Sequence, residues 1–172
     1  MPIPSCDRAL QKCRAAFADQ ILAEGRSAGQ HFLEVRRDRI HDFLRFLRDD
    51  PELRFDFLQD LCGVDYLNQG KPERFCVVYN LYSFTNRAQF RLKAFVPEED
   101  PTIDSASDLW PAADWAERET YDFYGIVFKN HPDLRRIQLP FDYEGHPLRK
   151  DYPLTGRGER MAFPRYERPA EP

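Results

Sequence analysis

The chain has 172 residues, of which 42% are hydrophobic, 14% aromatic and 31% charged. That length fits one domain and buries roughly 70% of the extended-chain surface. The aromatic content excludes a low-complexity disordered chain, and no apolar run approaches the roughly 20 residues of a bilayer span. The formal charge of −4 is concentrated in one acidic block before a proline-rich tail, and no basic stretch is interleaved with aromatics densely enough to track a nucleic-acid backbone.

The opening MPIPSCDRAL shows no basic region followed by an apolar stretch, so no export signal is expected. Leu10, Cys13, Phe17 and Ile21 recur at three- and four-residue intervals, which predicts an amphipathic helix over about 6–23 that stops near Gly25. HFLEVRR (31–37) alternates as a strand does. Ile40, Phe43, Leu44 and Leu47 make a second helical stripe, with Asp38 as candidate N-cap and Pro51 beyond its end. FLQDLCGVDYL (57–67) is ambiguous: its first half suits a short helix stopped near Gly63, its second half an edge strand. FCVVYNLYSF (75–84) and AQFRLKAFV (88–96) predict an antiparallel hairpin turning at Thr85-Asn86-Arg87. Phe90, Leu92, Ala94 and Val96 then share a buried face opposite Arg91 and Lys93. Ser105 and Asp108 are spaced as a capping box, and a third helix is predicted from about Pro111 to Gly125. The expected class is α+β: a mostly antiparallel sheet with helices packed on one face.

On the third helix Ala112, Trp115, Glu119 and Phe123 fall along one stripe, which places Glu119 on an apolar face. Arg118 has Asp114 and Asp122 four residues to either side and is placed to bridge both. Residues 1–125 are read as the globular domain and 126–172 as an extended arm. Seven of the 14 prolines lie from Pro132 onward, and they forbid further helix there. The arm's aromatic and aliphatic content suggests that it lies on a surface, its own or a partner's. No nucleotide loop, nucleophile elbow or zinc-hydrolase helix is present. His131 and His146 lack the spacing of a helical metal site. Cys6, Cys13, Cys62 and Cys76 contain no CxxC and are expected to be free thiols.

Residues 110–154 resemble a known signature. Its pieces are Glu117-Arg118-Glu119 with Asp122, Gly125-Ile126, His131-Pro132 and Leu134 with Arg136. They end with Gly145-His146-Pro147-Leu148-Arg149-Lys150-Asp151-Tyr152-Pro153. The run closely resembles the thirty-kilodalton subunit family of respiratory complex I, the bacterial NADH-quinone oxidoreductase, in its unfused form. FLQDLCGVDY (57–66) and VVYNLYSF (77–84) resemble that family more weakly.

The resemblance implies a structural subunit of the hydrophilic arm of a proton-translocating enzyme, with no catalytic residue, metal or cofactor of its own. Flavin and iron–sulfur clusters would sit in partner subunits. The implied partner is the large hydrogenase-related subunit that helps form the quinone site, with other hydrophilic-arm subunits nearby. The implied place is peripheral, on the cytoplasmic face of the bacterial inner membrane. Glu117, Arg118, Glu119, Asp122, His131, Arg136, His146, Arg149, Lys150 and Asp151 are the candidate interface residues. Two other readings stay open: a homologous subunit of a ferredoxin-fed photosynthetic complex or membrane-bound hydrogenase, and a stand-alone acid/base enzyme using Glu117, Glu119 and His131.

Overall fold

A computed structural model of the chain describes residues 4–158. The last part of the expected arm, 159–172, lies outside the described residues. The N-terminal helix α1 (Pro4–Phe17) is shorter than its periodicity suggests. A single 3-10 turn follows, and then Ile21–Ser27 leaves the helix to form strand β1. Strand β2 (Gln30–Val35) pairs with it antiparallel through the two-residue turn Ala28-Gly29. Both turn residues have positive φ (49° and 81°), the geometry whose twist matches a tight hairpin. Gly25, expected to stop a helix, instead lies in β1 opposite Phe32, where a Cβ would come within 2.6 Å of the ring.

Helix α2 (Ile40–Asp49) buries the expected stripe of Ile40, Phe43, Leu44 and Leu47. Asp38 is not its cap. It sits in a preceding 3-10 turn, and its carboxylate accepts from Arg36 Nε at 3.1 Å.

The ambiguous stretch is strand throughout: β3 (Phe57–Asp65), an edge strand beside β4 (Phe75–Ser83). A register shift between Leu58 and Asp60 brings both Leu58 and Leu61 to the core face. That bulge accounts for the helix-like three-residue spacing. The hairpin of β4 and β5 (Ala88–Val96) forms as predicted.

The sheet order is β1-β2-β5-β4-β3, antiparallel except where β2 meets β5. One core face carries Leu33, Val35, Val77, Tyr79, Leu81, Leu92 and Ala94, joined in a single buried cluster with residues of all three helices. Phe17 of α1 stacks on Phe43 of α2 with ring centroids 4.2 Å apart. The reverse face holds a smaller cluster of Cys76, Val78 and Phe95, with polar Arg91 bonded to Asn80 beside it. The cysteines are free thiols.

Helix α3 (Pro111–Tyr124) begins at its proline and ends at Gly125, whose φ is 74°. Its N-cap is Trp110, which makes no side-chain cap bond, so Ser105 and Asp108 do not form the expected capping box. The buried stripe is Ala113, Glu117 and Thr120, one step around the helix from the expected one, and Trp115 is 64% exposed. Gly63 of β3 decides this. A Cβ there would meet Tyr124 Cδ2 at 2.7 Å and Thr120 Cγ2 at 3.0 Å, so only glycine lets α3 press that close to the sheet. Beyond Gly125 the chain first adds β7 (Val127–Lys129), parallel to β6 (Thr102–Asp104), before the proline-rich run begins.

Replacing Gly63 by alanine should therefore overpack the interface between α3 and β3. The expected loss is about 1–3 kcal/mol of unfolding free energy, read as a lower urea midpoint at unchanged slope.

Candidate functional site

An α-helix ends with four carbonyls that no residue of the helix can bond. In α3 they belong to Tyr121, Asp122, Phe123 and Tyr124, and each finds a donor. Gly125 N–H donates to Tyr121 O at 2.8 Å. His146 Nδ1–H donates to Asp122 O at 2.9 Å, Leu148 N–H to Phe123 O at 3.2 Å and Arg149 Nε–H to Tyr124 O at 2.7 Å. The segment after β7 thus folds back to cap the helix that precedes it. Cationic Arg149 also suits the negative end of the helix dipole. Gly125 is required twice over. Its φ is left-handed, and a Cβ would lie 2.5 Å from His146 Nε2 and 2.6 Å from Arg149 Nη2.

The Asp122 carboxylate is fully buried and organises the other side of the same segment. Its Oδ2 accepts three successive backbone N–H groups, from Ile137 (3.1 Å), Gln138 (2.9 Å) and Leu139 (3.0 Å). Its Oδ1 accepts from Arg136 Nη1 at 2.8 Å, and Arg136 Nη2 closes the loop on Gly145 O at 3.2 Å. Burial pushes the Asp122 pKa up, but these donors together outweigh it and hold the carboxyl below its ordinary value.

A second anchor lies across the sheet edge. Asp65 Oδ2 accepts Lys150 N–H at 2.9 Å and pairs with Arg74 at 2.9 Å, and Arg74 reaches Asp151 at 2.6 Å. Arg74 and Arg149 both lie about 5 Å from the Phe75 ring centre, and burial with this neighbouring charge pushes the Arg149 pKa down.

A third cluster holds the start of the arm. Glu117 is buried, and its carboxylate accepts Ser105 Oγ–H and Ala106 N–H, both at 2.6 Å. Burial raises its pKa to about 7 against the opposing pull of those two donors. His131 Nδ1 accepts Asp133 N–H at 3.0 Å, so Nε2 carries the proton and donates to Asp114 O at 3.1 Å, with Glu117 Oε2 3.9 Å away.

The ten motif residues therefore divide. Asp122, Arg136, His146, Arg149, Lys150 and Asp151 meet around the last turn of α3 and the sheet edge. Glu117 and His131 meet near the middle of the helix, one turn on from Asp114. Arg118 bridges neither Asp114 nor Asp122; its Nε donates to Arg135 O at 3.1 Å, and its guanidinium lies 5.0 Å from the Trp115 ring centre. Glu119 is exposed and accepts from the Gln138 amide at 3.5 Å, because the buried stripe belongs to Glu117 instead. Asp65, Arg74 and Ser105 carry as much of the arrangement as the motif does. Asp65 stands in the weakly matching FLQDLCGVDY, whereas nothing in the local pattern singles out Arg74. Among the described residues no group of three His, Cys, Asp or Glu is placed to hold a metal ion.

With its polar backbone turned inward, the segment presents apolar side chains outward among exposed Asp142, Glu144 and Lys150. Leu139, Pro140, Tyr143, Pro147, Leu148 and Tyr152 help line a groove of about 1070 Å³, and Phe141 and Leu154 stand almost wholly in solvent.

Comparison with known proteins adds the following. A family described as the 30 Kd subunit of respiratory-chain NADH dehydrogenase matches residues 33–158. The corresponding NADH-quinone oxidoreductase protein of Roseiflexus sp. (strain RS-1) is 54% identical over 154 residues, covering 90% of this chain and 86% of that one. The protein of the same name from Geobacter sulfurreducens is 47% identical, covering 87% and 91% respectively. A solved trypsin-resistant fragment of Nqo5 superposes with a TM-score of 0.67 at 35% identity, covering 76% of this chain and 99% of the fragment. A chain of the archaeal membrane-bound sulfane sulfur reductase superposes with a TM-score of 0.72 at 19% identity, covering 94% and 95%, a likeness of fold.

Exchanging Asp122 for asparagine puts an NH₂ or a neutral oxygen where four donors converge and leaves Arg136 without its counter-charge. The expected cost is about 3 kcal/mol in urea unfolding. Because the folded pKa is depressed, the Asp122 contribution is present above the ordinary carboxylate range and is lost as pH falls through the folded value. The asparagine chain should therefore show a weaker acid limb below about pH 4 than the native chain.

Proposed function

Because the chain belongs to the 30 Kd subunit family of respiratory-chain NADH dehydrogenase, we propose that it is a scaffolding subunit whose C-terminal segment docks on a partner. The expected partner is the large hydrogenase-related subunit of the hydrophilic arm, near the quinone site. The observation that carries this reading is the two-sidedness of residues 136–154. Their hydrogen-bonding groups cap α3 and pair with Asp65 and Asp122, while Phe141, Leu148 and Leu154 face outward around a groove. Exposed apolar surface of this kind, rimmed by polar groups, is what a protein interface covers.

The reading assigns no catalytic step and no cofactor to this chain; flavin, iron–sulfur and quinone chemistry would belong to its neighbours. The Glu117–His131 pair is in keeping with it, since both side chains are wholly buried. No described helix is long and apolar enough to cross a membrane. A peripheral position on the cytoplasmic face, held there by the other subunits, fits that.

Affinity purification of the tagged chain from native membranes tests the proposal. Recovery with companions that carry flavin and NADH sites, and with the large subunit in stoichiometric amount, is the expected result. Companions bearing a hydrogenase or ferredoxin site instead would assign a related complex. Recovery of a soluble, monomeric chain alone would overturn the docking role.

A further inference from the structure

We propose that Glu117 is a buried proton-binding site, connected to solvent by the hydroxyls of Ser105 and Ser107. The site is independent of the docking role and uses a group that role leaves idle.

The connection is a continuous file of oxygens. Glu117 Oε2 lies 2.6 Å from Ser105 Oγ, and Ser105 Oγ lies 2.8 Å from Ser107 Oγ. Glu117 is wholly buried and Ser107 half-buried. Ser105 also borders a surface cavity of about 380 Å³ that is lined by Asp38, His41, Asp42, Asp104, Asp108 and Asn130. Between two hydroxyls either oxygen can be the donor, so the file can run in both directions. With Glu117 protonated, Oε2–H donates to Ser105 Oγ, and Ser105 Oγ–H donates to Ser107 Oγ. On deprotonation the Oε2 proton passes to Ser105 Oγ, the Ser105 proton to Ser107 Oγ, and the Ser107 proton to water. The hydroxyls then rotate, Ser105 Oγ–H again donates to the carboxylate, and the net change is one proton moved from Glu117 to solvent.

The surroundings place this exchange near neutral pH. Among the described residues no Lys or Arg lies within ion-pair distance of Glu117, and the nearest cationic candidate is His131 at 3.9 Å. The Nδ1 of that imidazole accepts Asp133 N–H, and its Nε2 faces Asp114, whose carbonyl lies 3.1 Å and whose Oδ1 lies 3.6 Å away. The other titratable groups that bear directly on the site are Asp114 on the same helix, Asp108 in the preceding loop and Tyr79 from β4, with Asp108 itself paired to His41 at 2.9 Å and Arg45 at 3.7 Å on α2. Burial, which outweighs the two hydrogen-bond donors, and like charges both favour the neutral acid, which raises the pKa from 4.5 to about 7. A salt-bridged structural glutamate would be driven the opposite way.

The test is side-chain NMR of the full chain with ¹³C-labelled glutamate, following the Glu117 Cδ resonance, together with unfolding equilibria across pH. The expected midpoint is near pH 7. Since the folded pKa is raised, stability from this group is complete below the unfolded value of 4.5 and is lost as pH rises through about 7. Across that window the unfolding constant of the native chain should rise about tenfold per pH unit relative to Glu117→Gln. Ser105→Ala removes a donor to the charged form, so the Glu117 midpoint should move higher still, and Ser105→Thr should restore it. A midpoint near 4.5, or an unchanged pH slope in Glu117→Gln, overturns the site. A midpoint in Ser105→Ala equal to the native one overturns the hydroxyl connection. The NMR titration needs only the native chain, so it decides even where a variant does not fold.

Discussion

The C-terminal end of α3 is the constraint from which the rest of the arrangement follows. A helix ending at a sheet edge leaves four carbonyls and a negative dipole end that burial would make costly. Here the donors come from a segment up to 25 residues further along the chain: His146, Leu148 and Arg149. The Asp122 side chain collects Arg136 and the amides of 137–139, so one residue fixes the segment through both its carbonyl and its carboxylate. A proline-rich stretch cannot satisfy its own backbone by helix or sheet. Capping a helix and filling a carboxylate is an alternative that satisfies both parties.

That solution has a geometric consequence. Polar backbone turns toward α3, so the side chains between the anchors, Leu139, Tyr143, Leu148 and Tyr152, must turn away from it. Outward apolar side chains are therefore a by-product of how the backbone is satisfied, and they give a partner a shaped target. The same logic explains why Gly63 and Gly125 stand where they do. One admits the helix to the sheet and the other admits the returning segment to the helix.

Much of the fold was legible locally. The stripe of α2, the β4–β5 hairpin and the Pro111-to-Gly125 span of α3 all follow from period and terminal residues. Where the structure departs from local pattern, a distant contact has overridden it. Ile21 continues a helical spacing, yet its segment is captured by β2. Leu58 and Leu61 are spaced as in a helix because a bulge shifts the strand's phase. Ser105 is spaced as a cap but is taken by Glu117. Trp115 and Ala112 form a plausible apolar stripe, yet the face that meets Gly63 is the one that is buried.

The sequence by itself determined the class of the fold, the position of α3 and the family, because hydrophobic period and a long signature run are properties of neighbouring residues. It also marked Asp122, Arg136, His146 and Arg149 as belonging together without saying what they do. Only the tertiary structure decided that they bond to one helix terminus, that Asp65 and Arg74 complete the clasp, and that Glu117 is enclosed with no Lys or Arg beside it among the described residues. Those outcomes depend on which donor reaches a given acceptor across as many as 85 residues of chain, as Lys150 reaches Asp65. Spacing along a sequence carries no record of that distance.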